Sequence, residues 1–138
     1  MSLRVETSTN WNGDEVKYRG RKVVGKSTYE IGLAVEAQTK ALAPVKFGRL
    51  RGSYTTQSAD QGTEVEAPAR PEDKITGPSS GLDTYVGTAV YYGPYVELGT
   101  VRSDAQPHLR PAFDLAQGKV LTLVRKNAKW EFGDYLKQ

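Results

Sequence analysis

The chain has 138 residues, enough for one domain (1–138) with its own core. It has no cysteine and a single histidine, which excludes disulfides, thiolate zinc sites and histidine-cluster metal centres. Its 19 basic and 16 acidic side chains leave +3, with the signs interspersed rather than gathered into the stripe of a dedicated nucleic-acid binder.

Residues 1–12 read as a loose lead-in with a short strand around Leu3, Arg4 and Val5. Ser2, Arg4, Glu6 and Asn10 interrupt any secretory signal pattern. No stretch approaches the roughly 20 apolar residues of a bilayer span, so a soluble chain folding in a reducing cytoplasm is expected. Asn12 or Asp14 is placed to cap a helix. From Asp14 to Ala43 one long helix is predicted, with Val16, Val23, Val24, Ile31, Val35 and Leu42 near one face. It would run roughly 43 Å. Gly20, Gly25 and Gly32 each cost about 1 kcal/mol relative to Ala, which predicts a kink or a fragmented first half. Pro44 drives Ala43 out of helical angles and ends the segment.

Leu50–Ser58 reads as a strand, with Leu50, Tyr54 and Thr56 on one side. Residues 59–82 form a long Pro/Gly-rich loop with one weak strand at Glu64–Glu66. Its carboxylates Glu64, Glu66, Glu72 and Asp73 read as the solubilising charge of a flexible segment. Asp83–Val90 then alternates as a strand. The architecture expected is α+β, namely a long N-terminal helix, a small antiparallel β-sheet and a C-terminal helix.

Residues 91–113, YYGPYVELGTVRSDAQPHLRPAF, are the most informative stretch. They predict a sheet edge that turns sharply, crosses an exposed loop and starts a helix at Pro111, where a missing N–H costs nothing. Glu97 stands in an apolar, aromatic context where an ionised carboxylate needs partners. The candidates are backbone N–H groups of the following loop, Arg102 or Arg110. His108, beside Pro107, reads as a surface or interface residue. A Ser103–Asp104–His108 hydrolase is conceivable on residue types, but no nucleophile elbow or oxyanion motif accompanies it. The glycines form no GxGxxG or Walker pattern, so no cofactor, metal or catalytic residue is expected.

The second helix carries Phe113, Leu115, Ala116, Val120, Leu123 and Val124, with Gly118 a soft point. In the tail 128–138, Trp130, Phe132, Tyr135 and Leu136 are expected to dock on this subunit or a neighbour. Basic clusters at Arg19-Arg21-Lys22-Lys26, Lys46-Arg49-Arg51 and Arg125-Lys126-Lys129 read as solvated faces. A small basic nucleic-acid-binding module is the alternative function class.

Three blocks resemble the tail-completion, or minor tail, proteins at the head–tail joint of long-tailed bacteriophages. The first, Ala43-Pro44-Val45-Lys46-Phe47-Gly48-Arg49-Leu50-Arg51-Gly52-Ser53, is similar to the family's Pro, Gly, Leu-Arg and Ser signature. Phe47 stands where the family more often has Thr. The second, Tyr91 to Thr100, resembles its aromatic, then Glu-x-Gly-Thr element, and Ala105 to Phe113 resembles its Pro-x-Leu-Arg-Pro-Ala-Phe helix start. The resemblance implies the same helix–sheet–helix fold and structural motif roles for Pro44, Gly48, Leu50, Arg51, Glu97, Gly99, Thr100, Pro107, Arg110 and Pro111. It also implies a non-enzymatic homo-oligomeric ring, commonly hexameric, in the virion neck or proximal tail, assembled in the host cytoplasm. Its neighbours would be head-closure or adaptor proteins and tail-tube or terminator proteins, with DNA only as the passing genome. Aromatics dominate interface hot spots, so Tyr91, Tyr92, Tyr95, Phe113, Trp130, Phe132 and Tyr135 are the expected anchors.

Overall fold

The computed structural model describes residues 12–60 and 70–133. The strands expected at 3–5 and 64–66, together with Tyr135 and Leu136, lie outside the described residues.

Helix α1 spans Gly13–Leu42 without a break. Asp14 and Glu15 in its first turn and Lys40 in its last complement the helix dipole. Asn12 occupies the N-cap position, but its side chain makes no capping bond; its carbonyl instead accepts the Val16 N–H at 3.2 Å. Ala43 has φ −61° and ψ 132°, the extended angles that a residue before proline requires.

The helix does not fragment at its glycines, two of which serve packing. A Cβ on Gly25 would lie 2.7 Å from the Gly81 carbonyl oxygen, and one on Gly32 would lie 2.6 Å from the Thr84 methyl and 2.8 Å from that of Thr56. Close approach of the hairpin to α1 offsets the local propensity cost. The buried face of α1 is accordingly small and polar as well as apolar, with Val23, Ser27, Gly32, Val35, Glu36 and Thr39. Val24 and Leu42, expected on that face, are exposed.

Leu50–Ser58 is not one strand. Gly48 adopts φ 78° and starts a short helix α2, Arg49–Ser53, in which the Ser53 hydroxyl bonds back to the Leu50 carbonyl at 2.7 Å. Strand β1 covers only Thr55–Ser58 and pairs antiparallel with β2, Thr84–Gly87, in the register Thr55↔Gly87 to Ser58↔Thr84. β2 stops short of the predicted Val90 because the Thr88 hydroxyl bonds Ser53 at 2.6 Å and receives the Val90 N–H at 3.0 Å, turning the chain away.

The segment expected as a sheet edge is helix α3, Gly93–Leu98, with Pro94 in its first turn. The C-terminal helix begins at Leu109 and is divided into α4, Leu109–Gln117, and α5, Val120–Phe132. Trp130 and Phe132 therefore stand on a helix, not in a tail.

The core has two clusters. Val35, Ala112 and Ala116 pack with Ile31, Ala34, Val86 and Leu109, joining α1 to α4 and the hairpin. Leu50, Tyr54 and Val90 pack with Tyr92, Val96 and Leu109. Leu109 belongs to both, so the start of α4 is the joint between them. α5 lies along the N-terminal half of α1, where Asn127 donates to Ser27 and Glu30, each at 3.1 Å. Among the described residues, no helix is long and apolar enough to cross a membrane.

Candidate functional site

The second and third motif blocks form one corner. α3 ends at Gly99, whose φ of 77° and ψ of 177° are open essentially to glycine alone. A Cβ there would also come 2.7 Å from the Ala105 nitrogen. Thr100 and Ser103 then bond each other across a tight turn, with the Thr100 N–H donating to the Ser103 carbonyl at 2.8 Å. The chain doubles back until the Gln106 N–H reaches the Val96 carbonyl at 2.8 Å.

This reversal carries the Glu97 carboxylate to the N-terminus of α4. Oε2 accepts the N–H groups of His108 at 2.8 Å and Leu109 at 3.0 Å, while Oε1 accepts that of Arg110 at 3.1 Å. These donors have no partner within a helix, so a side chain distant in sequence supplies the cap that no local residue provides. The partners of Glu97 are thus backbone groups, not the Arg102 or Arg110 guanidinium. Burial pushes its carboxyl pKa up, but the three backbone bonds and the nearby imidazole outweigh this and hold it below the ordinary value.

His108, expected at the surface, is 0% exposed. Its Nδ1 faces the Gln106 carbonyl at 2.8 Å and Glu97 Oε2 at 3.1 Å, both acceptors, and so carries hydrogen. Nε2 then accepts from Tyr54 Oη at 2.7 Å, with the two rings edge to face. The Tyr54 phenol is pushed up to about 12, by burial first and by the Glu97 charge second. No hydrogen bond links His108 to Ser103 or Asp104 among the described residues, and the buried ring is closed to a substrate. Nor does any group of three potential metal-ligating side chains come together among them.

The first block joins the same unit through residues that the sequence reads only as solvated charge. Arg49, not the exposed Arg51, makes a two-pronged pair with Asp73 at 2.9 and 2.7 Å. Asp73, read from sequence as loop charge, is only 2% exposed, and the Arg49 guanidinium holds its carboxyl below the usual range. Its backbone carbonyl also accepts the Ala89 N–H at 3.0 Å. Glu36 is likewise buried, accepting from Thr56 and Lys40 at 2.6 Å each. The Arg49–Asp73 and Thr56–Glu36 contacts have no local signal, since their partners come from different elements, whereas Glu36–Lys40 is an i,i+4 pair within α1.

The remaining predicted residues separate by environment. Leu50 is buried, Pro44, Gly48 and Pro111 are half-buried, and Thr100, Pro107 and Arg110 lie at the surface. Tyr92 and Phe132 are half-buried, and Phe113 is exposed beside an apolar groove of about 840 Å³ between α1, β2 and α4. Tyr91, Tyr95 and Leu98 follow at steps of four and three and are 77%, 59% and 73% exposed. They place one apolar face along the outside of α3 and the turn that leads into it. Trp130 stands apart from this corner, on α5 with Lys26 over its ring.

Compared with protein-family models, curated proteins and solved structures, the chain matches none.

Proposed function

We propose that the protein is a structural ring component of a phage neck or proximal tail, completing the tail and joining it to the head. The observation that carries this reading is the outer face of α3. Three large apolar side chains stand in water along α3 and the turn before it, and the inner side of this unit, through Tyr92 and Val96, is fixed in the core. Such a face is costly to expose and suits burial against another subunit. The motif residues behind it support the same reading, for Glu97, Gly99 and His108 are occupied in holding a rigid corner. In a closed ring each copy presents one patch to a different patch on the next, and a stiff, apolar corner meets that requirement. Phe113 and its groove offer a complementary surface. Trp130, an anchor expected from sequence, is assigned no part in this contact.

The test pairs electron microscopy with solution assembly. Lysates carrying a stop codon in this gene should contain DNA-filled heads beside separate or abnormally long tails. Purified Tyr95→Ser/Leu98→Ser protein should keep its melting temperature yet fail to assemble with itself or its neighbours. Normal infectious particles from the stop-codon lysate would overturn the reading.

A further inference from the structure

Packing of α5 along α1 brings an exposed aromatic ring beside a basic run of the first helix. Lys126 reaches Glu30 at 3.1 Å, and the Lys26 ammonium lies 5.8 Å from the centre of the Trp130 ring. Arg21, Lys22 and Lys26 of α1 therefore stand beside Trp130 and Lys126 of α5, whereas Arg125 and Lys129, two residues either side of the buried Asn127, fall on the far face of α5. Among the described residues, none of Arg21, Lys22 and Lys26 has a carboxylate within ion-pair distance. Of the nearby acids, Glu15 is engaged by Arg19 and Glu30 by Lys126 and Asn127. Asp60 and Glu131 line the recess beside Lys22 and Lys26, so the seam keeps a surplus of positive charge.

Aromatic rings stand among these cations. Trp130 is 76% exposed, and Tyr18, also exposed, lies under Lys22 with the ammonium 4.8 Å from the ring centre. Cations alone would fit any polyanion, but an exposed indole beside them adds a surface on which a base can stack. The recess has no aliphatic side chain in its lining, unlike a surface that inserts into a membrane. We propose that the α1–α5 seam binds nucleic acid, its lysines and arginines on the phosphate backbone and Trp130 against an unpaired base. The site stands on its own charges and does not depend on the ring reading.

Fluorescence anisotropy with labelled oligo-dT and a duplex of equal length tests it on the intact protein. Binding should weaken by about tenfold or more between about 50 and 200 mM salt, as counterion release requires. Arg21→Glu/Lys22→Glu/Lys26→Glu should bind at least about tenfold more weakly than the charge-matched Lys46→Glu/Lys74→Glu/Arg102→Glu. The Arg21→Gln/Lys22→Gln/Lys26→Gln triple serves if charge reversal lowers the melting temperature. Trp130→Ala should weaken the single strand but not the duplex. No binding at low salt, or equal weakening by both triples, would overturn the site. Equal binding of heparin or anionic vesicles, with no effect of Trp130→Ala on the single strand, would overturn the nucleic-acid assignment.

Discussion

Replacing Glu97 with Ala removes the acceptor shared by the N–H groups of His108, Leu109 and Arg110. Loss of an N-cap side chain costs about 0.5–2 kcal/mol, and a bond to a charged acceptor contributes about 1.5–3 kcal/mol net of its exchange with water. The Arg110 bond is exposed and water can replace it; those of His108 and Leu109 are part-buried. A loss of about 2–3 kcal/mol is therefore expected, a shift of about 8–12 °C at roughly 4 °C per kcal/mol for a chain of this size. Glu97→Gln keeps one acceptor oxygen but no charge and should lose about 1 kcal/mol. Urea denaturation should show lower midpoints with an unchanged slope, and amide exchange should quicken at residues 108–110. Because the folded carboxyl lies below its ordinary 4.5, its contribution is complete above that pH and fades as pH falls through the folded value. The gap between wild type and Glu97→Gln should then narrow in acid. A melting temperature for Glu97→Ala within about 2 °C of wild type would refute the capping argument. A gap unchanged down to about pH 3 would refute the role of charge.

Two glycines of α1 should respond in opposite directions. Gly20 has nothing within 4 Å of an added Cβ, so Gly20→Ala should stabilise by about 0.5–1 kcal/mol in thermal melts. Gly32→Ala should instead destabilise by about 1–3 kcal/mol, because the new methyl meets Thr84 and Thr56. Gly99→Ala combines a forbidden φ with a backbone clash and should cost about 3 kcal/mol or more, while Gly48→Ala, in open space, should cost only about 1–2 kcal/mol. Reversal of that order in denaturant midpoints would contradict the corner geometry. Tyr54→Phe leaves His108 Nε2 without its donor and should cost about 1–3 kcal/mol. In wild type, one tyrosine should resist ionisation in spectrophotometric titration until near pH 12. The unfolded phenol releases its proton near 10.0, so the Tyr54 contribution is intact below that pH and is lost as pH rises through about 12.

Much of the α+β arrangement was legible in the sequence because its signals are local. The long periodic run from Asp14 onward, Pro44 as its stop, the alternation around Tyr85 and the Pro-bearing start of the last helical segment each act within a few residues. Glu97 could likewise be marked as needing partners, since an acid among aromatics is costly unless bonded. The strand expected over 50–58 failed because a single left-handed glycine and a back-bonding serine outweigh a β-favouring composition.

By itself, the sequence determined the long first helix, the final helical segment, the helix stop at Pro44 and the demand of Glu97 for donors, because propensity, proline geometry and unpaired charge act locally. Tertiary structure alone decided which donors answer Glu97, why Asp73 is buried and why His108 is sealed from water. It also decided that Gly25 and Gly32 serve packing and that Trp130 stands beside Lys26. Those outcomes depend on contacts between elements far apart in the chain, and no short-range pattern encodes which surfaces will meet.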